Sequence, residues 1–258
     1  MIAIDEGHLE CWRTSRYVVV RGALDRQEQR QVSEWVSELA AWPETPGRWM
    51  KYFEGESRQL CRVENFVPYH AGLRSLLARP DLGAVLARLL GEPAVLFKEK
   101  INYKLPGGQG FAAHQDAPAF TSFGQPYHIT LMLAADATTI ENGCLEMVDG
   151  HAERCTLPQA PDGTLHPDVV SRLRWRPLAT EAADLVLFDS YVPHRSGPNL
   201  TEAPRRALYV TYNGISAGDR RADYFEQKRR SFPPECERES GASLSQGSAM
   251  FNLGNPIR

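Results

Sequence analysis

The sequence lacks the features of secreted, membrane-spanning and nucleic-acid-binding proteins. It has five cysteines in 258 residues, an odd number without a Cys-x-x-Cys pair, which argues against a disulfide framework or a zinc ribbon. No run approaches the length of a membrane-spanning helix, and the first residues show no secretory signal. The 29 Lys and Arg against 32 Asp and Glu leave a formal charge of −3, without the basic excess of a nucleic-acid-binding protein. We therefore expect a cytoplasmic protein with reduced thiols, no nucleic-acid partner and no membrane contact.

The chain otherwise has the composition and length of one ordinary domain. Hydrophobic residues make up 42% and charged residues 24% of the sequence, which is typical of a folded globular chain. We expect a single β-rich domain over residues 1–258, and the oligomeric state stays open. Residues 157–181 contain four prolines and are predicted to be a lid or insertion. Residues 219–230 are expected to form a solvated helix, and residues 239–258 a surface tail.

Two helices with apolar faces precede a run of short strands. Asp25 can cap the first helix in a capping box with Glu28, and Pro43 ends it. The second helix begins at Pro80 and ends at Gly91. From residue 94 the apolar period changes from that of a helix to that of a strand. The pattern predicts an all-β core, a sandwich or a barrel, with flanking helices. The expected strands are 17–20, 94–104, 127–135, 144–148, 184–189 and 206–213.

A small group of polar residues carries the chemistry. His114 and Asp116 are two residues apart, so their side chains share one face of an extended chain, and His194 follows another strand-like run. Two histidines and one carboxylate on a β-scaffold match the facial triad of non-haem Fe(II) oxygenases. Arg205, eleven residues after His194, can hold a carboxylate in bidentate fashion, whereas the adjacent Arg206 points to the other face. A metal chelated by a 2-oxo acid, with an arginine on its distal carboxylate, is the arrangement for 2-oxoglutarate.

Three motifs together resemble the phytanoyl-CoA dioxygenase family over roughly residues 15 to 235. They are HQD at 114–116, ENGCLEMVDGH at 141–151, and PHRSGPN followed by Arg205. The resemblance implies a double-stranded β-helix (a cupin-like jelly roll) that uses Fe(II), O2 and the cosubstrate 2-oxoglutarate. It assigns the iron to His114, Asp116 and His194, and the distal carboxylate of 2-oxoglutarate to Arg205 with help from Ser196. The carboxylate of Asp116 argues for hydroxylation, because halogenating relatives replace it with a small residue.

The substrate pocket is harder to place from sequence. On the strand 94–104, Lys98, Lys100, Asn102 and Lys104 share one face. We expect Lys100 and Asn102 to point inward as an anion site, while Lys98 and Lys104 are more simply assigned to a solvated edge strand. Two aromatic residues near the metal ligands, Phe120 and Tyr127, are candidate pocket members. The face shared by His128 and Thr130 suits 2-oxoglutarate or the substrate, with a satisfied core histidine as the alternative.

The stretch KEKINYKLPGGQGFAAHQD, followed by YHITLMLA, is most similar to family members that act on small aminophosphonates. That similarity implies hydroxylation of the carbon next to phosphorus in 2-aminoethylphosphonate or an N-methylated relative. Another small metabolite or an acyl-CoA stays open as the substrate of a hydroxylase. A zinc hydrolase could use the same three ligands, but it would have no use for Arg205. A non-catalytic jelly-roll protein that binds a metal or a ligand is the third alternative.

Overall fold

The computed structural model describes residues 1–239, 245–254 and 257. Within these residues, eleven β-strands form two antiparallel sheets with helices around them. The strands are β1 (Tyr17–Val20), β2 (Met50–Glu54), β3 (Gln59–Glu64), β4 (Ala94–Lys104), β5 (Phe111–His114), β6 (Ile129–Ala134), β7 (Leu145–Val148), β8 (Trp175–Leu178), β9 (Leu185–Asp189), β10 (His194–Ser196) and β11 (Arg205–Gly214). The α-helices are α1 (Glu6–Ser15), α2 (Arg26–Ala41), α3 (Ala71–Leu77), α4 (Pro80–Leu90), α5 (Ala117–Phe120), α6 (Pro167–Val170), α7 (Arg221–Ser231) and α8 (Ser245–Phe251).

The two sheets pack face to face as a jelly roll. The larger has the strand order β1-β9-β6-β11-β4-β3-β2, and the smaller has the order β5-β10-β7-β8. Apolar side chains of both sheets meet in one buried cluster, for example Met132 and Phe188 of the large sheet with Met147 of the small one. The prediction of an all-β double-stranded β-helix with flanking helices is therefore confirmed. No helix in the described part of the chain is long and apolar enough to cross a membrane.

The two predicted amphipathic helices cover the outer face of the large sheet. Asp25 and Glu28 form the expected capping box of α2, and Gly91 ends α4 in the left-handed conformation, at φ 84°. The apolar faces of both helices join a cluster with the outward residues of the large sheet, such as Leu131 and Val210. This cluster packs the outer face of the large sheet against the helices, so the inner face remains available for a functional site.

The structure corrects the prediction that β4 is an edge strand. Two strands that the sequence pattern did not reveal, β2 and β3, extend the large sheet beyond β4, so β4 lies between β3 and β11. Lys98 and Lys104 are consequently buried, with 8% and 2% of their surface exposed. Strand β3 was hidden because its inward positions are the charged Arg62 and Glu64, both buried, so it shows no apolar alternation.

Three expectations about the later chain also differ from the structure. The last residues of the predicted insertion 157–181 form β8, which pairs with β7 inside the small sheet. Helix α7 is not simply solvated, because Tyr224, Phe225 and Lys228 are buried. The predicted surface tail 239–258 contains buried residues where it is described, namely Phe251, Leu253 and Ile257. These apolar side chains join a third cluster at one end of the sandwich, while residues 240–244, 255, 256 and 258 lie outside the described chain.

Candidate metal centre and adjoining pocket

The three predicted metal ligands meet between the sheets. His114 ends β5 and His194 begins β10, and the two residues pair directly across these antiparallel strands. Their ring centroids are 4.2 Å apart, and Asp116 Oδ1 lies 3.9 Å from His114 Nε2. One ligand atom from each of the three residues lies within 4.8 Å of the others. Two imidazoles and one carboxylate at this spacing can hold one octahedral cation and leave three positions open.

Hydrogen bonds orient both imidazoles for metal binding. His114 Nδ1 lies 2.7 Å from the carbonyl oxygen of Ala112, and His194 Nδ1 lies 3.0 Å from that of Val192. A carbonyl can only accept, so each Nδ1 carries the proton and each Nε2 is left with a lone pair. Burial lowers the pKa of His114 to about 3 and also lowers the pKa of His194. Both rings are therefore neutral near pH 7, the state that a metal requires.

The third ligand is held ionised by its surroundings. Burial alone would raise the pKa of Asp116, but nearby positive charge, including that of Lys98 and Lys100, outweighs this effect and lowers the pKa below its ordinary value. Thr130 Oγ1 lies 3.5 Å from Asp116 Oδ2 and 3.0 Å from the Thr211 hydroxyl. An ionised carboxylate beside two neutral imidazoles is a donor set that suits Fe(II).

A second group of cations lies on the inner face of the large sheet. Arg205 of β11 pairs with Lys104 of β4 across the strands, and both are almost fully buried. Lys104 Nζ lies 2.8 Å from Ser196 Oγ, while Arg205 donates to the Gly143 carbonyl and keeps a buried Nε without a hydrogen-bond partner. Burial, together with the positive charge of Arg205, lowers the pKa of Lys104 to about 6. A buried guanidinium with an orphan N–H, beside an amine that an incoming anion would favour in its charged form, fits the distal carboxylate of 2-oxoglutarate.

The register of β11 separates the two adjacent arginines as expected. Arg205 points inward, whereas Arg206 points outward and forms a bidentate ion pair with Asp136, with N–O distances of 2.7 Å. Ser37 and Ser33 of α2 accept from its Nη1 and Nη2 atoms, so each guanidinium nitrogen has a partner. Arg206 is thus fully engaged in tying a helix to the sheet. Lys104, in contrast, is a candidate site residue that the edge-strand prediction missed. The alternation along 98–104 places Lys104 on the same face as Lys100 and Asn102, and this pattern could have identified it.

The pocket beside the metal ligands has a basic wall. Lys98 and Lys100 line it together with His114 and Asp116. Asn102 lines the adjoining pocket beside the three metal ligands. Burial lowers the pKa of Lys98 and takes that of Lys100 well below its ordinary value. The amines contact aromatic faces, with Lys98 Nζ 4.2 Å from the Phe120 centroid. Asp116 and the buried Glu64 raise these lysine pKa values without offsetting the effect of burial. An anionic guest would further favour the ammonium form of both side chains, so this wall suits an anion.

One side of this pocket comes from the C-terminal part of the chain. Tyr224 of α7 and Phe251 of α8 line it, with ring centroids 5.5 Å apart. Met250 and Leu253 complete this side, and Phe120 lines the pocket as the sequence predicted. The pocket is therefore basic on one wall and apolar on the other.

Two neighbouring predictions have different outcomes. The expected pocket residue Tyr127 lies elsewhere: its hydroxyl donates to the Leu90 carbonyl at 2.8 Å, and its ring packs against the outer apolar cluster. Tyr127 lies two residues before β6, and its ring is on the helix-covered face of the large sheet. Thr130 faces inward and lines the metal pocket. His128 is buried against Phe97 and Phe120, with Nε2 2.6 Å from Gln125 Oε1.

Gln115 has a positioning role that the sequence did not reveal. It lies between two metal ligands in the chain and is fully buried. Its amide nitrogen donates to the carbonyls of Cys155 and Tyr191, and its amide oxygen accepts from the backbone N–H of Leu157 at 2.8 Å. Gln115 thus ties the start of the 157–181 segment to the chain that leads into His194.

Comparisons with known proteins agree with this geometry. Residues 13–207 match the family model described as phytanoyl-CoA dioxygenase (PhyH). The chain is 51% identical over 251 residues to a 2-aminoethylphosphonate dioxygenase of uncultured bacterium HF130_AEPn_1, with 96% of each chain covered. It is 41% identical over 231 residues to a methylphosphonate hydroxylase of Gimesia maris, covering 89% of this chain and 88% of that protein. The crystal structure of EctD from S. alaskensis with 2-oxoglutarate and 5-hydroxyectoine superposes with a TM-score of 0.74 at 19% identity, covering 83% of this chain and 77% of that one, which shows a shared fold.

Proposed function

Since this chain belongs to the phytanoyl-CoA dioxygenase family, we propose that it hydroxylates the carbon next to phosphorus in 2-aminoethylphosphonate or an N-methylated relative. It is a 2-oxoglutarate-dependent non-haem iron dioxygenase that acts on a small molecule and uses Fe(II), O2 and 2-oxoglutarate. These identities remove the zinc hydrolase and the non-catalytic binding protein from the alternatives. The substrate and the role of each residue are the parts proposed here.

The iron would be held by His114, Asp116 and His194. When bound, Fe(II) with 2-oxoglutarate and O2 supplies the oxidising power for a C–H bond, and 2-oxoglutarate leaves as succinate and CO2. The protein contributes ligand geometry: Ala112 and Val192 fix the two imidazoles through their carbonyls. The three ligands lie between two packed sheets, and these sheets keep bulk water from the reacting centre.

The distal carboxylate of 2-oxoglutarate would be bound by Arg205 and Ser196, with Lys104 as a further N–H donor whose charged form the carboxylate favours. All three are buried, so a charge-assisted contact there is little screened by solvent. Thr130 would stay beside the metal and steady Asp116 through its hydroxyl. The cosubstrate would then occupy the part of the pocket that Ser196 and Leu145 line.

The observation that carries the substrate proposal is the pair of buried amines beside the metal ligands. Lys98 and Lys100 face a pocket whose remaining acid among the described lining residues is Asp116, already assigned to iron. A phosphonate, with up to two negative charges on three oxygens, can accept from both ammonium groups. Asn102 would add an amide donor. The two relatives with the highest identity given above both carry a phosphonate in their names.

The test is a substrate panel followed by two lysine variants from one strand. Succinate release is measured with 2-aminoethylphosphonate, its N-methylated forms, methylphosphonate and a CoA ester, with wild type expected to respond to an aminophosphonate. Lys100→Met should raise the KM for that phosphonate on the order of tenfold to a hundredfold with little effect on the KM for 2-oxoglutarate. Lys104→Met, four residues along β4, should do the reverse. A CoA ester as the coupling substrate, or equal effects of both variants on both KM values, would contradict the proposal.

A further inference from the structure

We infer that a C-terminal roof, defined as Tyr224, Met250, Phe251 and Leu253, determines which phosphonate this enzyme accepts. The inference rests on the proposed function, because it concerns the same pocket. It adds a specificity element from a part of the chain that contains neither the metal ligands nor the cosubstrate-binding residues. The roof lines the same pocket as Lys98, Lys100, His114 and Asp116, and the Tyr224 ring centroid lies 5.4 Å from Lys98 Nζ.

The roof lies outside the part of the chain that matches the family model. That match ends at residue 207, so it includes the metal ligands, Arg205 and both lysines, but none of the roof. The chemistry common to the family is therefore built from the matched region. The wall that meets the rest of the substrate comes from residues beyond it, which is where a difference in substrate would be encoded.

The roof is fixed to the metal centre by the backbone. The Gly254 carbonyl accepts from the backbone N–H of Ala112 at 2.8 Å, and the Ala112 carbonyl accepts from His114 Nδ1 at 2.7 Å. A Cβ atom at Gly254 would lie 3.1 Å from His114 Nδ1, so the chain passes as close as glycine allows. The segment after Phe251 is thus held against the same strand that presents a metal ligand.

Side-chain contacts hold the roof from the sheet side. Lys228 of α7 forms two contacts of 2.6 Å with the Glu64 carboxylate on β3. Glu64 also pairs with Arg62 at 3.1 Å, and Arg62 lies 3.5 Å from the Phe251 carbonyl. The buried Glu64 carboxylate therefore anchors α7 directly through Lys228, and α8 through Arg62. Because its charge is already shared by two cations, Glu64 does not serve as an acid for a substrate amine.

The composition of the roof indicates how it selects. Its side chains are aromatic, thioether and aliphatic, and none carries a charge. The phosphonate group is held on the basic wall, so the roof meets the carbon tail and limits its length by contact. In such a pocket, one added methylene is discriminated by about tenfold or more. We therefore expect the wild-type enzyme to favour 2-aminoethylphosphonate over 3-aminopropylphosphonate.

The experiment compares kcat/KM for these two phosphonates in wild type, Phe251→Ala and Met250→Ala. Each roof variant should reduce the preference for the shorter substrate by about tenfold, with the KM for 2-oxoglutarate unchanged within about twofold. Calorimetric titration of both phosphonates into the anaerobic protein with Fe(II) and 2-oxoglutarate gives the matching Kd values. Met250 is only partly buried, so its variant keeps the test decisive if Phe251→Ala folds poorly.

Phe232→Leu is the matched control. Phe232 belongs to the same apolar cluster, is 2% exposed and stacks on Tyr52, but its own side chain does not line the pocket. It should leave the preference intact. An unchanged preference in both roof variants would overturn the inference that the roof selects the substrate. The same change of preference in Phe232→Leu would also overturn it. If the wild-type enzyme turns over neither phosphonate, the proposed substrate is contradicted. If it turns over both with equal kcat/KM, only the inference about the roof is contradicted.

Discussion

His114 and His194 are direct cross-strand partners on β5 and β10, with their rings 4.2 Å apart. They are eighty residues apart in the sequence, yet antiparallel pairing places their Cβ atoms on one face at the separation of any cross-strand pair. Asp116, two residues after β5 ends, reaches the same space. The metal centre is thus a consequence of strand register, and a slip of one residue would separate its ligands.

Removing a ligand should abolish turnover by removing the metal. His194→Ala and Asp116→Ala each leave two donors, too few for tight binding of Fe(II), and we expect succinate formation to fall to background. The measurement is iron content after anaerobic loading, together with the weak visible charge-transfer band on adding 2-oxoglutarate. His166→Ala, at an exposed histidine that caps α6, is the control. Full activity with normal iron in either ligand variant would refute the assignment.

The adjacent arginines allow a sharp test of the cosubstrate site. Arg205→Ala should raise the KM for 2-oxoglutarate on the order of a hundredfold, because a buried charge-assisted contact is lost. Arg206→Ala removes the outward ion pair with Asp136 and should lower thermal stability while leaving that KM within about twofold. Steady-state kinetics and thermal melts of both variants decide the matter. If Arg206→Ala weakened 2-oxoglutarate more than Arg205→Ala, the register on which the site depends would be wrong.

The sequence was most informative where one physical pattern dominates. The capping box at Asp25, the left-handed stop at Gly91 and the alternation along 94–104 each depend on local geometry, and all three are found in the structure. The metal ligands were predictable because their residue types and spacing are rare in combination. Their approach across β5 and β10 follows from the family fold rather than from any local signal.

The pattern failed where charged side chains occupy the interior. On β3, Arg62 and Glu64 point inward and satisfy one another, so the strand resembles a surface segment and β4 is mistaken for an edge. Helix α7 is misjudged for the same reason, since its buried Lys228 is neutralised by Glu64 from a strand 164 residues away in sequence. Such partners are brought together only by the tertiary fold.

Gln115 should matter for stability and for the order of the adjoining segment. In Gln115→Leu the carbonyls of Cys155 and Tyr191 and the N–H of Leu157 lose their partner. A buried group left without its hydrogen bond costs about 1–3 kcal/mol, so the free energy of unfolding should fall by several kcal/mol. Urea unfolding measures this loss, and limited proteolysis should cut residues 155–181 faster. Gln109→Leu, at an exposed amide, should do neither; wild-type proteolysis in Gln115→Leu would show that the segment is held by other contacts.

The buried pair Lys228–Glu64 should make stability depend on acid pH. Lys228, Arg62 and Lys98 outweigh the effect of burial and lower the pKa of Glu64 from 4.5 to about 2. A carboxylate with a depressed folded-state pKa contributes stability that is fully present above pH 4.5 and is lost as the pH falls from 4.5 towards 2. Glu64→Gln removes this contribution and leaves Lys228 without its counter-charge, so the free energy of unfolding at pH 7 should fall by about 3–5 kcal/mol.

The pH profile separates this charge effect from simple loss of packing. Urea unfolding of wild type between pH 2.5 and 7 should show stability declining below about pH 4.5, whereas Glu64→Gln should start lower and decline less steeply there. Glu235→Gln removes a carboxylate from the half-exposed pair with Arg58 and should change stability by less than about 1 kcal/mol. Parallel profiles for wild type and Glu64→Gln would mean that the Glu64 carboxylate is not preferentially ionised in the folded state. In that case the charge of Glu64 does not help to hold the C-terminal helices beside the pocket.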